Sequence, residues 1–435
     1  MTRHRYLFAV VDGGGNVPPE LSAARRLVQR GHAVTVLAED SVAAEVRATG
    51  AAPRRWAHAP NRPDRVPDHD PVRDWECRYP WQIVDRLVET MFVGPAAEYA
   101  RDVSDAIHDA RPDLVACSMF CMGGMVAAEA AGIPFDVVLP NVYPFPAPGL
   151  PPFGLGFQPA GGMPGRFRDW VLNGLGERLW DSKGLAGLNG LRQRFNLPPL
   201  ARFFEQMDRA RRQLIMTSAS FDFPSSLPGN ARYVGPVLDE PAWADARWTA
   251  PGGDGPLVLV ALSSTFQDQV DCLQRIVDAL GAMPVRAVVT TGPAVDPAAL
   301  RPSGNVAVIP SAPHREVLWQ SALAITHGGH GTVMKALAAG VPMVIVPHGR
   351  DQADTAARVT ARGAGVALAR TASPGAIGRS VRRVLEHDSY RRAARRLGAV
   401  IRRDAEENTL LRELEALADT DEHEDHSMMA GVDVV

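Results

Sequence analysis

The chain has 435 residues, 46% hydrophobic and 22% charged, with a formal net charge of -3. That length exceeds one ordinary core and suits two domains, and the balanced charge argues against nucleic acid or an anionic membrane as a partner. No apolar run reaches the roughly 18–20 residues of a membrane helix, and the opening segment Tyr6–Val11 is too short for the apolar core of a signal sequence, so a cytoplasmic protein without membrane insertion is expected.

Taken in chain order, Tyr6–Val11 reads as a buried parallel strand and Gly13-Gly14-Gly15 as the turn after it. Glu20–Arg30 has helical periodicity, with Leu21, Ala24, Leu27 and Val28 on one face. Gly31 stops that helix, and Ala33–Ala38 is the next strand. Further strands are expected at Leu114–Cys117 and Phe135–Leu139, the opening of an open α/β sheet. Pro140–Gly165 then turns rich in Pro, Gly and Phe; so long an apolar loop suits a pocket wall or a rigid surface excursion. Leu175–Phe195 and Leu200–Leu214 read as helices.

A Pro- and Gly-rich stretch around 224–256 marks a boundary. Beyond it the alternation restarts. Strands are expected at Leu257–Leu262, Val285–Thr290, Val306–Ile309, Leu323–Thr326 and Met343–Val346, with helices at Val270–Leu280 and Gly331–Ala339. Ser380–Leu417 is largely helical. The division that follows is 1–225, a linker 226–255, a second α/β domain 256–400, a terminal helix 401–418 and a disordered acidic tail 419–435. Cys77, Cys117, Cys121 and Cys272 show no paired spacing and read as buried thiols of a reducing compartment. Two doubly wound sheets leave a cleft between the carboxyl ends of their strands, where ligands bind in such folds.

The residues that carry chemistry cluster between Thr326 and Gln352. A strand ending at Thr326 runs into His327-Gly328-Gly329-His330-Gly331-Thr332 and then a helix. Gly329 and Gly331 let the backbone approach a ligand, the helix start offers free amides to an anion, and His327 and Thr332 add side-chain donors. A diphosphate fits that arrangement; a tight turn with a structural histidine would also produce it. After the next strand, Asp351 and Gln352 place a carboxylate beside an amide, which suits sugar hydroxyls. Asp68-His69-Asp70 lies in a Pro-rich loop and not at a strand end, which argues against a metal–diphosphate motif. Gly13-x-Gly15 lacks the third glycine of a dinucleotide fingerprint.

From Pro310 to Gly365 the sequence resembles the nucleotide-sugar signature of family 1 glycosyltransferases, the plant secondary-product and bacterial antibiotic enzymes. Ser311-Ala312-Pro313-His314 is similar to the start of that signature, where the backbone around Ala312 would meet the base; plant members carry Trp where this chain has Ser311. Leu262-Ser263-Ser264-Thr265 resembles the loop whose hydroxyls, here Ser264 and Thr265, touch the β-phosphate. Arg232–Pro236 resembles the interdomain segment. The resemblance implies the GT-B fold, two Rossmann-like domains facing across a cleft. It also implies a UDP- or TDP-sugar donor, inversion at the anomeric carbon, a small apolar acceptor, and no metal or cofactor.

The same resemblance exposes a departure. The family's base is a His in a Gly-His-x-x-Pro loop, and Gly15-Asn16-Val17-Pro18-Pro19 puts Asn16 there, an amide that cannot accept a proton near neutral pH. The partner carboxylate falls at Ser118. Asp12, Glu20 and Asp136 are the candidate replacement bases; Ser118, Phe145 and Phe153 are the candidate acceptor contacts. An acceptor acidic enough to ionise unaided would serve equally. A nucleotide-sugar epimerase and a non-catalytic auxiliary protein are the competing readings, and a homodimer or an auxiliary partner stays open.

Overall fold

The computed structural model describes residues 3–159, 161–241, 244 and 247–417; the acidic tail expected at 419–435 lies outside them. The first sheet is built from β1 (Arg5–Ala9), β2 (Ala33–Ala38), β3 (Ala52–Arg55), β4 (Leu114–Ser118), β5 (Phe135–Leu139), β6 (Arg212–Ile215) and β7 (Ala231–Tyr233). The second uses β8 (Leu257–Ala261), β9 (Arg286–Thr290), β10 (Val306–Ile309), β11 (Leu323–Thr326), β12 (Met343–Ile345) and β13 (Gly365–Ala367). The strand orders are β3-β2-β1-β4-β5-β6-β7 and β10-β9-β8-β11-β12-β13. Every pairing is parallel, for example Tyr6 with Val34 and Leu114, and Thr326 with Ala261 and Ile345. In both sheets the order reverses beside the first strand, between β1 and β4 and between β8 and β11. Open α/β sheets bind ligands at those two points.

Both faces of each sheet are covered, so strand residues alternate between two cores. In β1, Leu7 and Ala9 enter the core beneath the helix Ala96–Ala110, while Tyr6 and Phe8 enter the one beneath the helix Val17–Gln29. β3 holds Pro53 and stands at the sheet edge, the place a strand proline tolerates. The helix Thr409–Glu415 returns to the first domain, burying Leu410, Leu411 and Leu414 in the core that contains Leu21 and Leu27. Arg358 and Asp222 join the domains through a 2.7 Å ion pair with both side chains buried.

The structure departs from the sequence expectations at several points. Leu200–Leu214 is not one helix: Glu205–Asp208 is a single turn and Arg212–Ile215 is strand β6, held between β5 and β7. The irregular segment after Pro140 ends earlier than Gly165, because the helix Gly162–Trp180 begins inside it. β7 falls within the stretch read as linker and completes the first sheet. All four cysteines are free thiols, but Cys77 is only half-buried. No helix among the described residues is long and apolar enough to cross a membrane.

Candidate active site

The carboxyl ends of the two sheets face each other across one cavity of about 570 Å³. Every residue expected to hold the donor lines it: Ser264, Thr265, Ala312, His327, Gly329, Gly331, Thr332, Asp351 and Gln352. Asp12, Asn16, Phe145 and Phe153 line it from the first domain. Glu20, Ser118 and Asp136 do not.

On the donor side, the turn after β11 owes its shape to Gly328, which has φ +96°; a Cβ there would stand 2.9 Å from the Gln352 carbonyl oxygen. This tight turn aims the start of the helix His330–Ala338 at the cavity. Burial holds His327 as neutral imidazole, its pKa lowered to about 3, with His348 nearby acting in the same direction. Burial likewise takes His314 and His330 down to about 4, and His330 pairs with the Thr217 hydroxyl at 2.8 Å. These histidines are therefore hydrogen-bonding groups that bring no charge at neutral pH. Burial also pushes the Asp351 carboxyl up. Gln352 donates to Gln267 Oε1 at 2.8 Å and accepts from the backbone of His348. The Gln267 amide nitrogen is buried without a partner among the described residues. Gln267 thus extends the polar wall beyond the residues legible in the sequence.

On the opposite side the first loop is closed by Asn16. Its amide nitrogen donates to the Val11 carbonyl at 2.9 Å and to Glu20 Oε1 at 3.0 Å, with Ser118 Oγ at 3.4 Å; its oxygen accepts from Gly13 N at 2.9 Å. The amide is engaged by the loop at both its nitrogen and its oxygen. Ser118, expected as an acceptor contact, lies beneath the loop, 1% exposed.

None of the three candidate replacement bases is free to serve from the cavity. For Asp12, burial favours the protonated form, but Arg65 and Arg62 beside it carry the carboxyl below its usual range. Arg65 Nε sits 2.7 Å from Oδ2, and Gly14 N donates to Oδ1 at 2.8 Å. Glu20 is 1% exposed, and burial pushes it up to about 8 against the hydrogen bonds from Asn16 and Ser118. It is one helical turn behind Asn16, so its carboxyl reaches the amide and not the cavity. Asp136 is the second residue of β5, at the amino end away from the cleft, where Arg211 Nε donates to it at 3.0 Å. Its role is to anchor Arg211, which also donates to the carbonyls of Glu413 and Ala416 in the returning terminal segment.

Met119, Phe120, Phe145, Phe153 and Trp180 form an apolar stretch of the acceptor side, with Asn141, Asn173 and Glu177 among the polar residues that also line it. Phe145 is also core, packed against Tyr143 and Phe204 at centroid distances of 5.4 and 4.9 Å. Phe153 is 37% exposed and rides on a loop pinned from the other domain, where Asp354 accepts from Gly154 N at 2.6 Å and Gly156 N at 3.3 Å. Asp70 caps Val72 N and Arg73 N and stands 3.6 Å from Arg350 of the second domain. The arrangement brings a polar wall at a helix start within reach of an apolar stretch of the same cavity.

Residues 274–417 match the family model described as erythromycin biosynthesis protein CIII-like, C-terminal domain. The chain is 31% identical over 412 residues to 4'-demethylrebeccamycin synthase of Lentzea aerocolonigenes, covering 90% of this chain and 94% of that one. Among solved structures it is similar to the calicheamicin glycosyltransferase CalG4, with TM-score 0.73, 25% identity and coverage of 96% and 98% of the two chains. It is also similar to the glycotransferase of kitacinnamycin, with TM-score 0.74, 21% identity and coverage of 95% and 99%.

Proposed function

The chain belongs to the GT-B glycosyltransferases of antibiotic and related natural-product biosynthesis, and on that premise we propose that it transfers a sugar or deoxysugar from a UDP- or TDP-sugar to a small, mostly apolar acceptor, with inversion at C1. The cavity carries the reading: Thr265, His327, Thr332, Asp351 and Gln352 gather on one wall, and Phe120, Phe145 and Phe153 on the other. The diphosphate would rest at the start of the helix His330–Ala338, whose amides and dipole favour an anion. Asp351, Gln352 and Gln267 would take the sugar hydroxyls.

The acceptor's proton is the distinguishing point. With the Asn16 amide committed to Gly13, Val11 and Glu20, and the ionised Asp12 carboxylate engaged by Arg65 and Gly14 N, the first loop offers no uncommitted base. The favoured acceptor is therefore one that ionises unaided, an acidic phenol, a carboxylate or an acidic nitrogen. Its anion attacks C1 as the bond from C1 to the β-phosphate oxygen breaks, and the electron pair leaves with the diphosphate. Incubation with labelled UDP- and TDP-hexoses and acidic phenols tests this. Transfer or slow hydrolysis supports it. An altered sugar would indicate an epimerase, and binding without turnover an auxiliary protein.

A further inference from the structure

Arg350 belongs to none of the roles assigned above, yet it is one of the residues through which the two walls of the cavity touch. It takes φ +57°, a left-handed conformation that side chains disfavour and that persists only where the surroundings enforce it. Its Nη1 donates to the Gly13 carbonyl at 3.1 Å and to Thr265 Oγ1 at 3.2 Å. On its other edge, Nε and Nη2 lie 3.3 and 3.4 Å from the two oxygens of Asp74, and Asp70 is 3.6 Å away. The approach is close enough that a Cβ on Gly14 would stand 2.8 Å from the Thr265 methyl and 3.4 Å from Arg350 Nη1.

Among the described residues, four Lys and Arg side chains line the cavity: Arg62, Arg65, Lys335 and Arg350. Arg62 is held by Glu39 and Arg65 by Asp12, both within the first domain, and Lys335 by Glu240 at 2.8 Å. The histidines of the donor wall are neutral. Of the four, Arg350 is the one bonded to the Ser263–Thr265 loop. A nucleoside diphosphate carries two to three negative charges, and a helix start answers with roughly half of one.

The geometry points to Arg350 as a diphosphate-binding residue, the cation that meets the β-phosphate beside Thr265. This rests on the donor reading above. When the C1–O bond breaks, the electron pair stays on the β-phosphate oxygen, and Arg350 supplies the matching positive charge there. The same guanidinium holds Gly13 and Asp74 of the acceptor domain, so phosphate binding is tied to the first loop. Asp70 and Asp74 compete with the phosphate for it and moderate the affinity.

Isothermal titration with UDP, UMP, TDP and TMP tests the assignment without knowledge of the sugar or the acceptor. Wild type should prefer each diphosphate over its monophosphate. Arg350→Gln should cut that preference about tenfold, the usual scale for a charge-assisted bond, while monophosphate affinity stays within about twofold. Asp74→Asn, which frees the guanidinium, should raise the preference and carries the test if Arg350→Gln fails to fold. An unchanged preference in a folded Arg350→Gln, or in Asp74→Asn, overturns the assignment; so does an equal loss for mono- and diphosphate. Wild-type protein that binds neither diphosphate overturns the donor reading together with it.

Discussion

Replacing Glu20 by glutamine tests the first loop most quantitatively. Burial raises the Glu20 carboxyl to about 8, whereas an unfolded glutamate titrates near 4.3. The folded state therefore keeps a proton that the unfolded state has already lost. Stability from this group is fully present at low pH and drains away as pH rises toward 8. From pH 6 to pH 8 the unfolded carboxyl is ionised throughout while the folded one is still mostly protonated. The resulting loss is about 2 kcal/mol, or about 4–8 °C in the melting of a domain of this size. Glu20→Gln keeps an acceptor for Asn16 but has nothing to titrate. Its amide nitrogen would replace Oε2, which has no partner among the described residues, so a constant offset is expected and the slope is the readout. Calorimetry of both proteins at pH 6, 7 and 8 should show a decline in wild type that the variant lacks. Parallel declines, or a flat wild type, would mean that Glu20 ionises normally and does not sit protonated behind Asn16.

Thr332→Ala removes a hydroxyl from the diphosphate cradle and should weaken UDP or TDP by about 1–3 kcal/mol in titration calorimetry; unchanged affinity for both would move the diphosphate elsewhere. The two phenylalanines should separate. Phe153→Ser, on an exposed loop, should raise the acceptor KM with little change in melting, while Phe145→Ser, with 6% exposure, should cost roughly 3–5 kcal/mol of stability in a denaturant titration. Asn16→His places an imidazole where the amide now meets Glu20 at 3.0 Å, so the Glu20 carboxyl, which ionises when the ring takes up a proton beside it, serves as partner and Ser118 need not be changed. Turnover of ordinary alcohols should rise by about a hundredfold, the lower reach of a general base, and no gain would mean that the new ring does not face the acceptor.

The strands and the donor wall were legible because their signals are local. Parallel strands covered on both faces read as apolar runs, and His327 to Gln352 places a strand end, a glycine turn, a helix start and a second strand end within one short stretch. Leu200–Leu214 misled because leucine, methionine and arginine favour helix locally, while pairing with β5 and β7 decides the fate of Arg212–Ile215. Asp136 misled because composition does not say which end of a strand faces the cleft. Glu20 was within reach, since residues four apart on a helix meet and Asn16 stands four residues before it. Arg350 stood inside the stretch already recognised, but its bond to Gly13 spans 337 positions. No periodicity or motif announces a contact of that range between two domains.

The claim most exposed to test is that the acceptor gives up its proton without help from the first loop. Transfer rates of wild type and Asn16→Ala should be measured with one nucleotide sugar across phenols of graded acidity, at fixed pH. The account predicts that kcat/KM follows the ionised fraction of the phenol in both proteins, and that Asn16→Ala stays within about tenfold of wild type, well short of the loss of a general base. A variant that melts normally and binds the nucleotide sugar normally, yet shows no turnover with even the most acidic phenol, would contradict it.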